Sequence, residues 1–177
     1  MTKINPMFLD PQQTLQQLEL TPEMIAVDFG SGSGGWAIPL AKILEKGLVV
    51  AVDIQEEPLS ALQAKAKMVS LKNIRTIRAD VESDNVRVDA NFCDLALLTN
   101  ILFQAEDKTA VLKQAARALK SGGKLLVVDW LAGAALGPKQ GRVPPEQVKE
   151  IAKTLGLDFE KEISVEQFHY GLVFVKQ

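Results

Sequence analysis

Apolar side chains recur along this chain in short unbroken runs, at residues 25–29, 48–53, 74–78, 93–98, 124–129, 159–163 and 171–176. Most are rich in Val, Ile, Leu and Phe and apolar on successive residues, the pattern of strands covered on both faces, because a half-exposed strand alternates. They predict seven strands. Between them, apolar positions fall at helical spacing: Ala37, Leu40, Ala41 and Leu44; Leu59, Leu62, Ala66 and Val69; Val111, Leu112, Ala115, Ala118 and Leu119; Val148, Ile151, Ala152 and Leu155. Pro58 stands near the start of the second of these helices, Pro144 and Pro145 open the last, and Gly156 follows its final apolar position, where a terminating glycine belongs. A shorter helix is predicted over 11–18, within an N-terminal segment, residues 1–22, that lies over the core.

Strands alternating with helices imply right-handed crossovers and an open parallel sheet. The last two runs are separated by only seven residues, 164–170, too few for a crossover, so they predict a hairpin and an antiparallel last strand. The expected fold is α/β: a doubly wound, Rossmann-like, seven-stranded and mostly parallel sheet. A length of 177 residues suits a single domain over 1–177.

Charge and composition narrow the function. Twenty basic against twenty-two acidic residues leave a net charge of -2, so no global positive field exists to attract nucleic acid. With one cysteine, Cys93, and one histidine, His169, neither an intramolecular disulfide nor a Cys/His zinc site is expected, and Cys93 reads as core. No apolar run approaches the roughly 18 residues that span a bilayer, and the start, Met1 to Pro6, has no run of signal-peptide length. A cytoplasmic protein with no membrane span and no metal is the expectation.

The chemistry concentrates between the first strand and the first helix, at Val27, Asp28, Phe29, Gly30, Ser31, Gly32, Ser33, Gly34, Gly35 and Trp36. Doubly wound sheets bind nucleotides at this place. Gly30, Gly32 and Gly34 can take positive φ and carry no Cβ, so the backbone turns sharply and a ligand approaches closely. Gly30, Gly32 and Gly35 also fit G-x-G-x-x-G, so the turn alone does not separate a dinucleotide from another adenosyl ligand. Three acids bear on the choice. A carboxylate at Asp28 repels a pyrophosphate and suits a ligand with a cationic amino group. Asp53 ends the second strand, where it can accept from two ribose hydroxyls, and Asp80 follows the third, within reach of an adenine amino group.

With these residues in order, and with Leu119 to Lys124 forming a Ser-Gly-Gly turn before the fifth strand, the chain resembles the class I S-adenosylmethionine-dependent methyltransferases over nearly its whole length. It looks, more loosely, like the small single-domain enzymes grouped with the quinone-biosynthesis C-methyltransferases. The resemblance implies a sheet whose seventh strand lies between the fifth and sixth. It implies S-adenosyl-L-methionine as cofactor and S-adenosyl-L-homocysteine as product, with Asp53 on the ribose, Asp80 on the adenine amino group, Ile54 packed on the adenine, Val81 flanking it, and Asp28, Gly30, Ser31, Gly32 and Gly34 around the methionine portion. A nicotinamide-dependent oxidoreductase shares the glycine turn and Asp53, and a non-catalytic cofactor-binding module shares all of it; these stay as alternatives.

On the acceptor side, ligands in an open α/β sheet lie beyond the carboxyl ends of the parallel strands, which points to Asn100, Phe103 and Gln104 after the fourth strand and to residues 130–142 after the fifth. Asn100 is a candidate for both cofactor and acceptor contact. The segment 98–104 lacks the Asp/Asn-Pro-Pro-aromatic signature of enzymes that methylate exocyclic base amines, so a small-molecule or lipid-like acceptor is expected. His169 and Tyr170, the only histidine and the only tyrosine, begin the reversed last strand at the same edge, and imidazole titrates near neutrality; both are candidate catalytic residues, against a structural role. Arg142 is a candidate anion contact, Trp36 and Trp130 candidate pocket walls, and residues 8–11 either a cover over the cofactor or a helix cap.

Overall fold

A computed structural model of the protein describes residues 8–177. In chain order the elements are α1 (Pro11–Leu15), β1 (Ile25–Phe29), α2 (Ala37–Ile43), β2 (Leu48–Asp53), α3 (Glu56–Met68), β3 (Ile74–Arg78), β4 (Cys93–Thr99), α4 (Lys108–Ala118), β5 (Leu119–Trp130), α5 (Pro145–Thr154), β6 (Leu157–Ile163) and β7 (His169–Lys176). The strands form one sheet in the order β3-β2-β1-β4-β5-β7-β6. Pairing is parallel from β3 through β5 and antiparallel where β7 meets β5 and β6. This is the doubly wound sheet that the alternation predicts, with the antiparallel seventh strand inserted between the fifth and sixth as the resemblance implies.

The runs in β1, β2 and β4 are buried on successive residues because helices cover both faces of the sheet. One core layer is built around Phe29, Val52, Leu98, Leu112 and Phe174, the other around Leu15, Leu40, Val49, Leu97 and Leu126. Helix termini follow ordinary chemistry: Glu56 and Glu57 begin α3 and Lys65 and Lys67 end it, each opposing the local end of the macrodipole, while the Asp107 carboxylate accepts from the Ala110 N–H at the start of α4.

The structure departs from the predicted elements at several ends, among them the start of β6, which is Leu157 and not 159. Helix α1 stops at Leu15, short of the predicted 18, and the carboxylate of Asp10 caps it by accepting from the Gln12 and Gln13 N–H groups. Residues 8–11 are thus a helix cap, and the part of the predicted segment over 1–7 lies outside the described residues. Strand β5 starts at Leu119, five residues early, because Leu119 pairs with Cys93 before a register shift carries the glycine turn at 122–123. Strand β7 begins at His169, pairing with Trp130. Among the described residues no helix is long and apolar enough to cross a membrane.

Candidate active site

A cleft of about 1150 Å³ opens at the carboxyl ends of the parallel strands, centred where β1 and β4 neighbour each other and the chain order reverses, the switch point at which such sheets bind ligands. Each strand supplies a segment: Gly30, Ser31 and Gly32 after β1; Asp53, Ile54 and Gln55 after β2; Asp80, Val81 and Glu82 after β3; Thr99, Asn100, Ile101 and Gln104 after β4.

The glycine turn is fastened to the end of β2. The N–H groups of Gly30 and Ser31 both donate to the Val52 carbonyl, at 2.7 and 3.0 Å, and the Gly32 N–H donates to Asp53 Oδ2 at 2.8 Å. Gly30, Gly32 and Gly34 all have positive φ, as predicted. Their surroundings separate them. A Cβ at Gly32 meets nothing within 4 Å, whereas one at Gly34 would lie 2.2 Å from Leu62 Cδ1. Gly32 therefore faces open cleft, and Gly34, which does not line it, is a packing glycine between the turn and α3.

Asp53 Oδ1 also accepts from the Gln55 N–H, which leaves each oxygen a further lone pair for a ligand hydroxyl. Ile54 is 55% exposed and apolar in the cleft wall, a free flat surface for a ring. Asp80 accepts from the Glu82 N–H through one oxygen, and Val81 is buried beside it. Asn100 adopts positive φ, and its buried Oδ1 has no partner among the described residues.

Asp28 does not line the cleft; it sits beneath the turn, fully buried, with both carboxylate oxygens unpartnered among the described residues. Burial, and secondarily the charge of Asp53, raises its pKa to about 7. Two unsatisfied carboxylate oxygens under a ligand cleft are a charge arrangement awaiting a donor.

His169 and Tyr170 do stand at the edge where the parallel strands end, but neither lines the cleft. The Tyr170 hydroxyl donates to the Val143 carbonyl at 3.0 Å, and burial followed by the nearby Asp129 raises its pKa. The His169 ring packs against Trp130 at a tilt of 38°, with centroids 3.9 Å apart. Trp36 lines the cleft and Trp130 does not. Arg142 is engaged internally: its guanidinium donates to the carbonyls of Leu131, Ala132, Ala134, Leu136 and Pro138, and organises the loop it terminates. Cys93 is buried, its thiol pushed up to about 12 by burial first.

Sequence reasoning missed Glu82, whose two oxygens accept from the Glu106 and Asp107 N–H groups and close the cleft wall. It also missed Glu166, which is 3% exposed and bonded to the Nδ1 of His169. Both act across loops, and a lone acid in a polar segment carries no local signal.

The described residues that line the cleft include the carboxylates Asp53, Asp80, Glu82, Glu106 and Asp107 and no lysine, arginine or histidine. A pocket of that charge favours a cationic ligand.

A family model described as a methyltransferase domain matches residues 26–123. A demethylmenaquinone methyltransferase of Bacillus cereus (strain ATCC 10987 / NRS 248) is 26% identical over 133 residues, 75% of this chain and 55% of that protein. The chain thus spans about half the length of the curated relatives it matches. Among solved structures, a SAM dependent methyltransferase from Aquifex aeolicus superposes with a TM-score of 0.81 at 24% identity, covering 96% of this chain and 90% of that one. A [4+2]-cyclase superposes with the same TM-score at 15% identity, covering 94% and 79%. Likeness at that distance shows the fold alone, which hosts more than one chemistry.

Proposed function

The chain belongs to the methyltransferase-domain family, the class I S-adenosylmethionine-dependent enzymes, and from that premise we propose that it moves a methyl group from S-adenosylmethionine to a small organic acceptor, leaving S-adenosylhomocysteine. The observation that carries this reading is the charge of the cleft. Five carboxylates and no cationic side chain among its described residues favour a sulfonium and an ammonium, and repel the pyrophosphate of a nicotinamide dinucleotide.

The residues present fit the cofactor. Asp53 has spare acceptor capacity for ribose hydroxyls, Ile54 and Val81 offer apolar surface to the adenine, and Asp80 accepts from its amino group. Gly30, Ser31 and Gly32 let the methionine portion lie against the backbone. Asp28 supplies the buried negative charge that an ammonium compensates, and Asn100 directs an unpartnered amide oxygen at the same ligand. When bound, the cofactor supplies a methyl group activated by positive sulfur; the chain's own task is to hold the acceptor in line with it. Tyr170 serves as an anchor for the segment at Val143.

A shallow depression of about 580 Å³, lined by Phe103, Gln104 and residues 138–141, adjoins the cleft through Gln104 and is the place for an acceptor. Its small size and the acidic cleft beside it support a small molecule over nucleic acid, whose phosphates the carboxylates repel. The name of the Bacillus relatives points the same way, toward an organic acceptor.

Thermal unfolding with S-adenosylhomocysteine, NAD and NADP tests the reading. A ligand at 100 times its dissociation constant stabilises by roughly 2.7 kcal/mol, a shift of several degrees in a chain of this size. The shift is expected with S-adenosylhomocysteine only. A shift with NAD or NADP and none with S-adenosylhomocysteine overturns the proposal.

A further inference from the structure

The buried Glu166–His169 pair has no part in the cofactor cleft, and it is built like a proton acceptor. Glu166 follows β6 in the hairpin; one oxygen of its carboxylate bonds His169 Nδ1 and the other accepts from the Phe168 N–H at 2.7 Å. Both carboxylate oxygens are thereby fixed, and the side chains of Glu166 and His169 are 1% and 5% exposed. A carboxylate on Nδ1 selects the tautomer that carries its proton there, so the opposite nitrogen, Nε2, presents a bare lone pair. That atom is buried and has no partner among the described residues.

Position gives the lone pair a use. His169 pairs with Trp130 at the end of β5, on the edge where the parallel strands deliver their ligand-facing loops. The Trp130 ring touches both the imidazole and the backbone of Gly137, where a Cβ would come within 2.3 Å of it. Loop 131–142 therefore lies over Trp130 and lines the acceptor depression through residues 138–141. The titratable groups facing the imidazole are Glu166 on its own hairpin, Asp129 on β5 and Tyr170 beside it. Asp129 accepts from the Leu102 and Trp130 N–H groups, and Tyr170 is tied to Val143. Neither is a second base at that nitrogen.

We infer that Glu166 is a positioning residue for His169, and that His169 Nε2 removes the proton of the methyl acceptor when loop 131–142 and Trp130 shift to admit it. The inference rests on the methyltransferase reading. In the step, the bond between the acceptor's nucleophilic atom and its hydrogen breaks, its electron pair stays on the acceptor as the nucleophile, and the proton joins Nε2. The resulting imidazolium is balanced by the Glu166 carboxylate, as in hydrolase sites where an acid orients a histidine base. Glu166 does not line the cleft; its carboxylate holds the imidazole through one oxygen and the Phe168 N–H through the other.

Because His169 is the only histidine, histidine-selective nitrogen-15 labelling reports it without overlap. Long-range spectra of the uncharged ring should show it protonated at Nδ1, and Glu166→Gln should abolish that preference. An uncharged ring protonated at Nε2 overturns the inference with no variant required. Access is read with diethyl pyrocarbonate, which acylates a bare imidazole nitrogen. His169 should react in the folded protein, and several-fold faster in Arg142→Ala, whose loop is loosened; reaction only at the rate of global unfolding in both overturns it. In methyl transfer from methyl-labelled S-adenosylmethionine to a metabolite extract, Glu166→Gln should lower turnover tenfold or more with S-adenosylhomocysteine affinity unchanged, and Glu166→Asp should recover part of it. Unchanged turnover in Glu166→Gln overturns the inference. Failure of the wild-type chain to bind S-adenosylhomocysteine is the separate result that sinks the methyltransferase reading itself.

Discussion

The carboxylate of Asp53 holds the backbone N–H of Gly32 at 2.8 Å, so the last residue of β2 fastens the glycine turn that follows β1. One side chain thus shapes the turn and lines the cleft beside it. Asp53→Ala should weaken S-adenosylhomocysteine binding by at least about tenfold, since hydrogen bonds to a charged group contribute on the order of 1.5 to 3 kcal/mol each. It should also lower Tm by a few degrees, because Gly32 and Gln55 lose their acceptor. Calorimetry giving unaltered affinity would remove Asp53 from the site.

Asp28 makes both stability and ligand binding depend on pH. Burial raises its folded pKa from 3.8 to about 7, so between those values the folded state keeps a proton that the unfolded state has released. Stability therefore falls as pH rises from about 4 to about 7, by about 4 kcal/mol, and is flat on either side. Replacing Asp28 by Asn should remove this slope, so that the difference in Tm between mutant and wild type moves in the mutant's favour from pH 4 to pH 8. A ligand ammonium pairs with the ionised form. Wild-type affinity for S-adenosylhomocysteine should consequently drop as pH falls below about 7, approaching tenfold per unit, and Asp28→Asn should bind weakly with no such slope. Parallel pH profiles for the two proteins would dismiss Asp28 as the ammonium's partner.

The sheet and the strand-end acids that line the cleft were legible because both depend on local pattern. Unbroken apolar runs marked β1, β2 and β4, and the acids Asp53 and Asp80 fall at strand ends that the runs themselves define. What was not legible depends on contacts distant in sequence. The early start of β5 requires Leu119 to find Cys93, which no periodicity in 119–130 announces. Glu82 closes the cleft by meeting the N–H groups of residues 106 and 107. Arg142 reads as a free loop cation until the loop folds around it, and Tyr170 as a candidate catalytic residue until its hydroxyl is seen to be held by the Val143 carbonyl. The pairing of Glu166 with His169 was within reach of a spacing argument, since the two are three residues apart, but nothing in the segment shows that both are buried.

Gly32 and Gly34 should separate binding from stability. At Gly32, φ is +52° and a Cβ meets open space, so Gly32→Val pays backbone strain on the order of 1 to 3 kcal/mol and places its branches in the cleft. The protein should still fold and no longer bind S-adenosylhomocysteine. At Gly34, φ is +90° and a Cβ would lie 2.2 Å from Leu62 Cδ1, so Gly34→Ala should lose stability through backbone strain and the displaced Leu62 side chain while sending no atom into the cleft. Thermal unfolding with and without ligand resolves the two. A Gly32→Val protein that binds normally would show that the cofactor lies elsewhere.

Arg142 is the remaining test of how the acceptor side is held. Its guanidinium donates to five carbonyls between residues 131 and 138, a fan of acceptors that a planar fork of donors satisfies and a lysine ammonium does not. The side chain is partly exposed and water can replace it on some of those carbonyls, so Arg142→Ala should destabilise by only about 1.5 to 3 kcal/mol. Its main effect should be local, with thermolysin cutting within 131–142 several-fold faster than in the wild type. Affinity for S-adenosylhomocysteine should not change, because no residue of that loop lines the cleft. Arg142→Lys should resemble the alanine variant. If lysine restores protease resistance, positive charge rather than donor geometry holds the loop, and if added phosphate protects the wild-type loop but not the alanine variant, the guanidinium retains free capacity for an anionic acceptor.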